Sequence, residues 1–235
     1  MPVIDPDLYK FIIPYSDRVP AEAIREALEC GFDGIWSTSF DGGIDECSYH
    51  DKISDPQRYP TERALDKFIS SSDGYLNIYT EHTDFLLRNR SFYDWGLPEI
   101  EGIGLFWYRV HFRDVLSPDE DGTAVLNEVI ESVTHVYKHF PSPFAFSQLP
   151  YQHEHETTVT KQHLEKPELP DVYWLMILSP PICEDIGRER LQSAPVWRVD
   201  TLSDGSMRLV ASGDGLKYRP EDKQELRDHL GIPRD

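Results

Sequence analysis

Apolar residues along this chain fall into short runs and helical spacings, separated by polar stretches. Tyr9 to Tyr15 (YKFIIPY) is rich in aromatic and β-branched residues and predicts a first strand. Pro20 then stands where a first helical residue tolerates proline. Ile24, Ala27 and Leu28 share one face of the helix, and Gly31 ends it. Ile35 to Phe40 predicts a second strand, and the stretch from Asp41 to Pro60, dense in Asp, Gly, Ser and Pro, predicts a long loop. Thr61 is placed to cap a helix whose apolar face is Ala64, Leu65, Phe68 and Ile69.

Strands are predicted again at Leu76 to Thr80, Phe85 to Asn89 and Ile103 to Phe112. The last of these (IGLFWYRVHF) is long and continuous enough for a central strand. A long helix follows Asp121-Gly122. At about 100° per residue, Val125, Val129, Val133, Val136, Tyr137 and Phe140 share one broad sector, which Leu126 and Ile130 complete. Pro141 ends this helix, and Phe144 to Leu149 forms the next strand. The polar segment Tyr151 to Pro170 reads as a loop before a strand at Tyr173 to Ser179. After Pro180-Pro181 a short helix breaks at Gly187. Trp197 to Thr201 and Met207 to Ala211 flank the turn Ser203-Asp204-Gly205 as a hairpin. A last helix runs from Pro220 to Leu230 and stops at Gly231. Hairpin-like strands interspersed with helices predict an α+β fold, an antiparallel or mixed sheet with helices packed on it. Residues 1–235 read as one compact unit, with 151–170 the only stretch suited to an internal boundary.

Composition narrows the class. An apolar fraction of 39% in 235 residues suits a globular core. No apolar run approaches the roughly 20 residues that span a bilayer. The segment MPVIDPDLYK carries acids where a signal peptide needs a basic region, so a cytoplasmic protein away from membranes is expected. Cys30, Cys47 and Cys183 are few, odd in number and without CxxC spacing, which argues against a disulfide framework or a structural zinc site.

The net charge of −19, from 42 acids and 23 bases, repels phosphate backbones and excludes nucleic-acid binding through a basic surface. Arginine (15) exceeds lysine (8) and aspartate (23) exceeds glutamate (19), a bias that resembles proteins of salt-loving organisms. An accessory protein of a salt-adapted cytoplasm is one reading of that bias. A surface built for a basic protein partner is another. For that partner the acidic stretch Asp41, Asp45, Glu46, Asp51 and Asp55 is the first candidate.

Candidate chemistry is sparse. His153, His155 and His163 lie in a His/Glu-rich stretch that suits transition metals, and would serve a metal-dependent hydrolase. Their spacing matches no zinc motif, and a hydrated loop explains them without metal. Glu131, His135 and His139 recur every four residues but project to the polar side of the long helix, as a solvent-facing ladder would. Cys47 with His50, and His50 and His82 beside acids, lack any recognisable catalytic signature. The Gly42-Gly43 and Gly102-Ile103-Gly104 sequences lack phosphate-loop continuations, so no cofactor is expected.

From Trp174 the chain reads WLMILSPPICEDIGRERLQSAPVWRVDTLSDGSMRLVASGDG. Trp174, Leu175, Pro180, Gly187, Arg190, Leu191, Ala194, Pro195 and the hairpin around Gly205 resemble the C-terminal part of bacterial immunity proteins, which neutralise polymorphic and type VI secretion toxins. The resemblance covers the last quarter of the chain, and its motifs shape the backbone. It implies a non-enzymatic binding protein, an antagonist that caps a cognate toxin.

Overall fold

The computed structural model describes residues 8–15, 19–31, 46–50, 57–60, 66, 73–79, 84–90, 104–111, 120–148, 159–166, 168–213 and 218–233. Among these, ten strands form one sheet. They are β1 (Leu8–Tyr15), β2 (Glu46–His50), β3 (Gln57–Pro60), β4 (Asp73–Tyr79), β5 (Asp84–Arg90), β6 (Gly104–His111), β7 (Phe144–Gln148), β8 (Leu175–Leu178), β9 (Arg198–Thr201) and β10 (Met207–Val210). Their spatial order is β3-β2-β4-β5-β6-β1-β7-β8-β10-β9, and neighbours pair antiparallel throughout. The helices are α1 (Ala21–Gly31), α2 (Glu120–Tyr137), α3 (Lys161–Glu165), α4 (Pro180–Ile186), α5 (Arg188–Gln192) and α6 (Pro220–Leu230). This is an α+β fold with an antiparallel sheet. None of the described helices is long and apolar enough to cross a membrane.

The continuous run predicted as a central strand is β6, near the middle of the sheet. Beside it lies β1, which pairs Leu8 with His111 on one side and Lys10 with Gln148 on the other. One strand thus joins the β2–β6 set to the β7–β10 set. β7 and β8, on opposite sides of the 151–170 stretch, pair directly.

Strand alternation divides the core between two faces. Phe11, Ile13, Ala145, Leu175, Ile177 and Val210 pack with Ile24, Ala27 and Leu28 of α1 and with Val129, Ile130 and Val133 of α2. Ile12, Phe146, Met176, Leu178, Met207 and Leu209 pack with α3, α4, α5 and α6 through Leu164, Ile182, Leu191 and Leu226. Helices on both faces explain why β8 reads LMIL, buried at every position. Trp174 is fully buried in the cluster under α1 and α2, with its indole Nε1–H donating to the Ser212 carbonyl at 2.8 Å.

β10 breaks its apolar run with Arg208, only 3% exposed on the α2 face. Its Nε and Nη2 donate to Asp200 Oδ2 at 3.0 and 2.9 Å, and its Nη1 to the Thr134 hydroxyl at 2.8 Å. Glu131 Oε1 lies 2.9 Å from Nη2. Burial disfavours the charged guanidinium, but these two carboxylates outweigh it and raise the arginine above its ordinary range. Glu131 is therefore tied to the sheet rather than forming a free solvent ladder with His135. His135 is exposed, while His139 lies beyond the helix with Nδ1 3.8 Å from Glu26.

Two loop expectations are overturned. Within Asp41 to Pro60 the chain forms β2 and β3, a pair in which Glu46 faces Pro60 and Cys47 faces Tyr59. Pairing of β2 with β4 supplies the backbone partners that polar composition concealed. Within 151–170, α3 forms where a loop was expected. The long helix also begins earlier than expected, at Glu120, and takes in Gly122. The strand expected at Ile35 to Phe40 lies outside the described residues. So does the helix after Thr61, apart from Asp66, which is helical and pairs with Arg25.

Candidate functional site

On the face covered by α3 to α6, several helix ends are set by special backbone positions. Pro180 opens α4, where a missing N–H costs nothing. Gly187 separates α4 from α5 at a φ of 97°, open to glycine and strained for other residues. Gly231 stops α6 in the left-handed region at a φ of 74°, its N–H donating to Asp228 O at 3.3 Å while Ile232 N–H reaches Arg227 O at 3.1 Å.

These ends enclose a cleft of about 430 Å³. Leu169, Ile182, Ile186 and Ile232 supply apolar wall, and His163, Glu168, Asp185 and Arg190 supply the polar groups. His163 Nδ1 accepts the Thr160 backbone N–H at 3.0 Å. Arg190 Nη1 donates to the Leu230 carbonyl, the last of α6, at 3.4 Å. The Arg190 carbonyl in turn accepts from His229 Nε2 at 2.8 Å and from the Ser193 hydroxyl at 3.2 Å. Glu168 and Asp185 are exposed, and neither has a cation within ion-pair distance among the described residues.

Behind the cleft, the chain from Leu169 and Pro170 enters Asp171, whose side chain is 2% exposed. Its carboxylate receives Lys223 and Arg227 from α6 and the Val172 N–H at 2.8 Å. Desolvation works against the anion, but those three donors win and hold its pKa below the ordinary value. The Lys223 ammonium also sits 5.8 Å from the Tyr173 ring centroid. This cluster clamps α6 to the strand side of the cleft. Cys183, buried behind α4, has its thiol pushed up by burial and donates to Leu178 O at 3.3 Å, as a packing residue does.

Of the residues singled out in the sequence, His163 lines the cleft from α3. His153 and His155 lie outside the described residues, as do Asp41, Asp45, Asp51 and Asp55, while Glu46 is the first residue of β2. Cys47 and His50 both sit on β2, opposite Tyr59 and Tyr75. Among the described residues, no group of three or more His, Cys, Asp and Glu side chains is placed to hold a metal ion. Sequence reasoning missed Glu168, Asp185, Asp171 and the two α6 bases. It also passed over Trp197, which is 49% exposed just before β9, with its ring over Gly213.

The positions carrying the immunity-protein resemblance have structural roles. Leu175 opens β8, Pro180 opens α4, and Leu191 and Ala194 are buried. Gly205 turns the β9–β10 hairpin at a φ of 85°. No family model matches the chain. No curated protein matches it either. The fold, however, is similar to that of the Pseudomonas aeruginosa T6SS protein PA0821, with a TM-score of 0.53 at 9% identity. The likeness covers 95% of this chain and 72% of that one, and at such identity it speaks for the fold alone.

Proposed function

We propose that this chain is a non-enzymatic binding protein, an immunity-type antagonist that caps a basic toxin of a secretion system. The observation that carries the reading is the fold likeness to a T6SS protein across nearly the whole chain. The sequence resemblance of the last quarter to immunity proteins supports it independently. So does the −19 charge, which speeds encounter with a basic partner by electrostatic steering. Half-exposed Trp197 is of the residue type that anchors protein interfaces.

The test is protection. Cells producing a toxic protein encoded beside this gene should survive when the chain is co-produced, and the two should co-purify at low salt and separate as salt rises. Unprotected cells, with no complex at any salt concentration, would sink the reading.

A further inference from the structure

We propose that β9 pairs antiparallel with β9 of a second copy of this chain, about a two-fold axis at Val199. Among the described residues no strand lies beyond β9, whereas β3 at the opposite edge ends on Pro60, which has no N–H to offer. Natural sheets guard an edge with proline, lysine or a bulge, and Arg198–Thr201 carries none of these. Two hydrogen bonds fix which way its backbone faces. Ala211 N–H turns to Trp174 O at 2.7 Å, on the β8 side, and Leu202 N–H meets Ser206 O at 2.8 Å across the hairpin. By alternation Arg198 and Asp200 direct their backbone groups at β10, so Val199 and Thr201 direct theirs away from the sheet. Thr201 is exposed and Trp197 is 49% exposed, so this edge is open.

The side chains select a second copy and the register. With Val199 on the axis, Arg198 of each copy stands opposite Asp200 of the other, in the closer, non-hydrogen-bonded pairs. An axis at Asp200 or at Arg198 would set like charges face to face. Asp200 is prepared for a further arginine. The Nε and Nη2 of Arg208 and the Nε of Arg198 all fall on its Oδ2, at 3.0, 2.9 and 2.7 Å, so Oδ1 has room for another donor. On the other face Trp197, its ring held against Gly213, comes opposite Thr201. The main chain completes the pairing: the two Val199 exchange N–H and C=O, and each Thr201 N–H meets the other copy's Trp197 carbonyl. The −19 charge on each copy opposes association, so this dimer tightens as salt screens the repulsion, the reverse of a complex with a basic toxin.

The experiment is sedimentation of the intact chain over a range of concentrations, at low salt and at about 1 M, where the screening length is about 3 Å. A reversible dimer should form and tighten with salt. Thr201→Pro, whose lost N–H points away from β10, should weaken it at least about tenfold with circular dichroism unchanged, since each copy loses one hydrogen bond. Independently of that variant, mild oxidation of Val199→Cys should join two copies through the introduced thiols. Thr201→Cys should not crosslink, because its equivalent positions lie about 13 Å apart along the strands in this register. Monomers at every concentration and both salts, a dimer indifferent to Thr201→Pro, or equal crosslinking at both positions overturns the pairing. Assemblies that keep growing with concentration show β9 meeting a different edge and overturn it as well. A monomer whose protection from the toxin is abolished by Thr201→Pro receives a strand of the toxin on this edge, which also overturns self-pairing. A dimer of the stated register without protection keeps the pairing and removes the antagonist.

Discussion

The two faces of the sheet bury opposite charges. Under α2 the buried group is a cation, Arg208, with acids that reach outward: Asp200 is 28% and Glu131 48% exposed. Under α6 the buried group is an anion, Asp171, and its partners Lys223 and Arg227 are each 21% exposed. In both, one ion gives up water and the other keeps some. The difference teaches which residue should not be removed alone. Deleting an outer partner strands a buried charge, whereas deleting the buried ion frees its partners to turn toward solvent.

The largest effect is therefore expected from Lys223→Met/Arg227→Met, which takes both α6 bases away from the buried Asp171 carboxylate. We expect a loss of about 3–5 kcal/mol in urea unfolding. Adding Asp171→Asn should return much of it; no recovery would show that the bases stabilise through packing. Arg208→Met comes next, at about 2–3 kcal/mol, because Asp200 and Glu131 retain solvent and Asp200 keeps Arg198 at 2.7 Å. A cost above that of the double variant would reverse the comparison.

A smaller effect separates the faces by pH. The folded Asp171 pKa lies below its ordinary 3.8, so its stabilisation is present above that value and lost as pH falls through the folded one. The stability gap between the native chain and Asp171→Asn should stay level from neutral pH to about 4 and shrink below it. Arg208 is raised from an already high value and keeps its own charge across that range. A gap that narrowed near neutral pH would contradict the clamp.

Much of the fold was legible because its signals are local. The α1 face of Ile24, Ala27 and Leu28, the centrality of β6 and the span of α6 between Pro220 and Gly231 all follow from spacing and punctuation. The β2–β3 pair was hidden because ECSYH and QRYP are four or five residues long and poor in β-branched side chains. α3, at five residues, is too short to show a helical period. The buried charges divide in the same way. The Gly205 turn sets the register that places Asp200 opposite Arg208, so that pair can be read from the hairpin. Asp171 and Arg227 are 56 positions apart, and only packing brings them together. The cleft is less legible still, since it draws residues from 163 to 233 and exists only where separate helices end.

The place of β1 in the sheet sets an order of events during synthesis. This strand is made before both of its neighbours, yet it pairs with residues as far along as His111 and Gln148. At about 5–20 residues per second, a ribosome takes on the order of ten seconds to pass from Lys10 to Gln148. Until Gly104–His111 is made this apolar segment can complete neither edge, and its second edge waits for Phe146 to Gln148. The strand that unites the two halves of the sheet is thus the one the nascent chain must shelter longest.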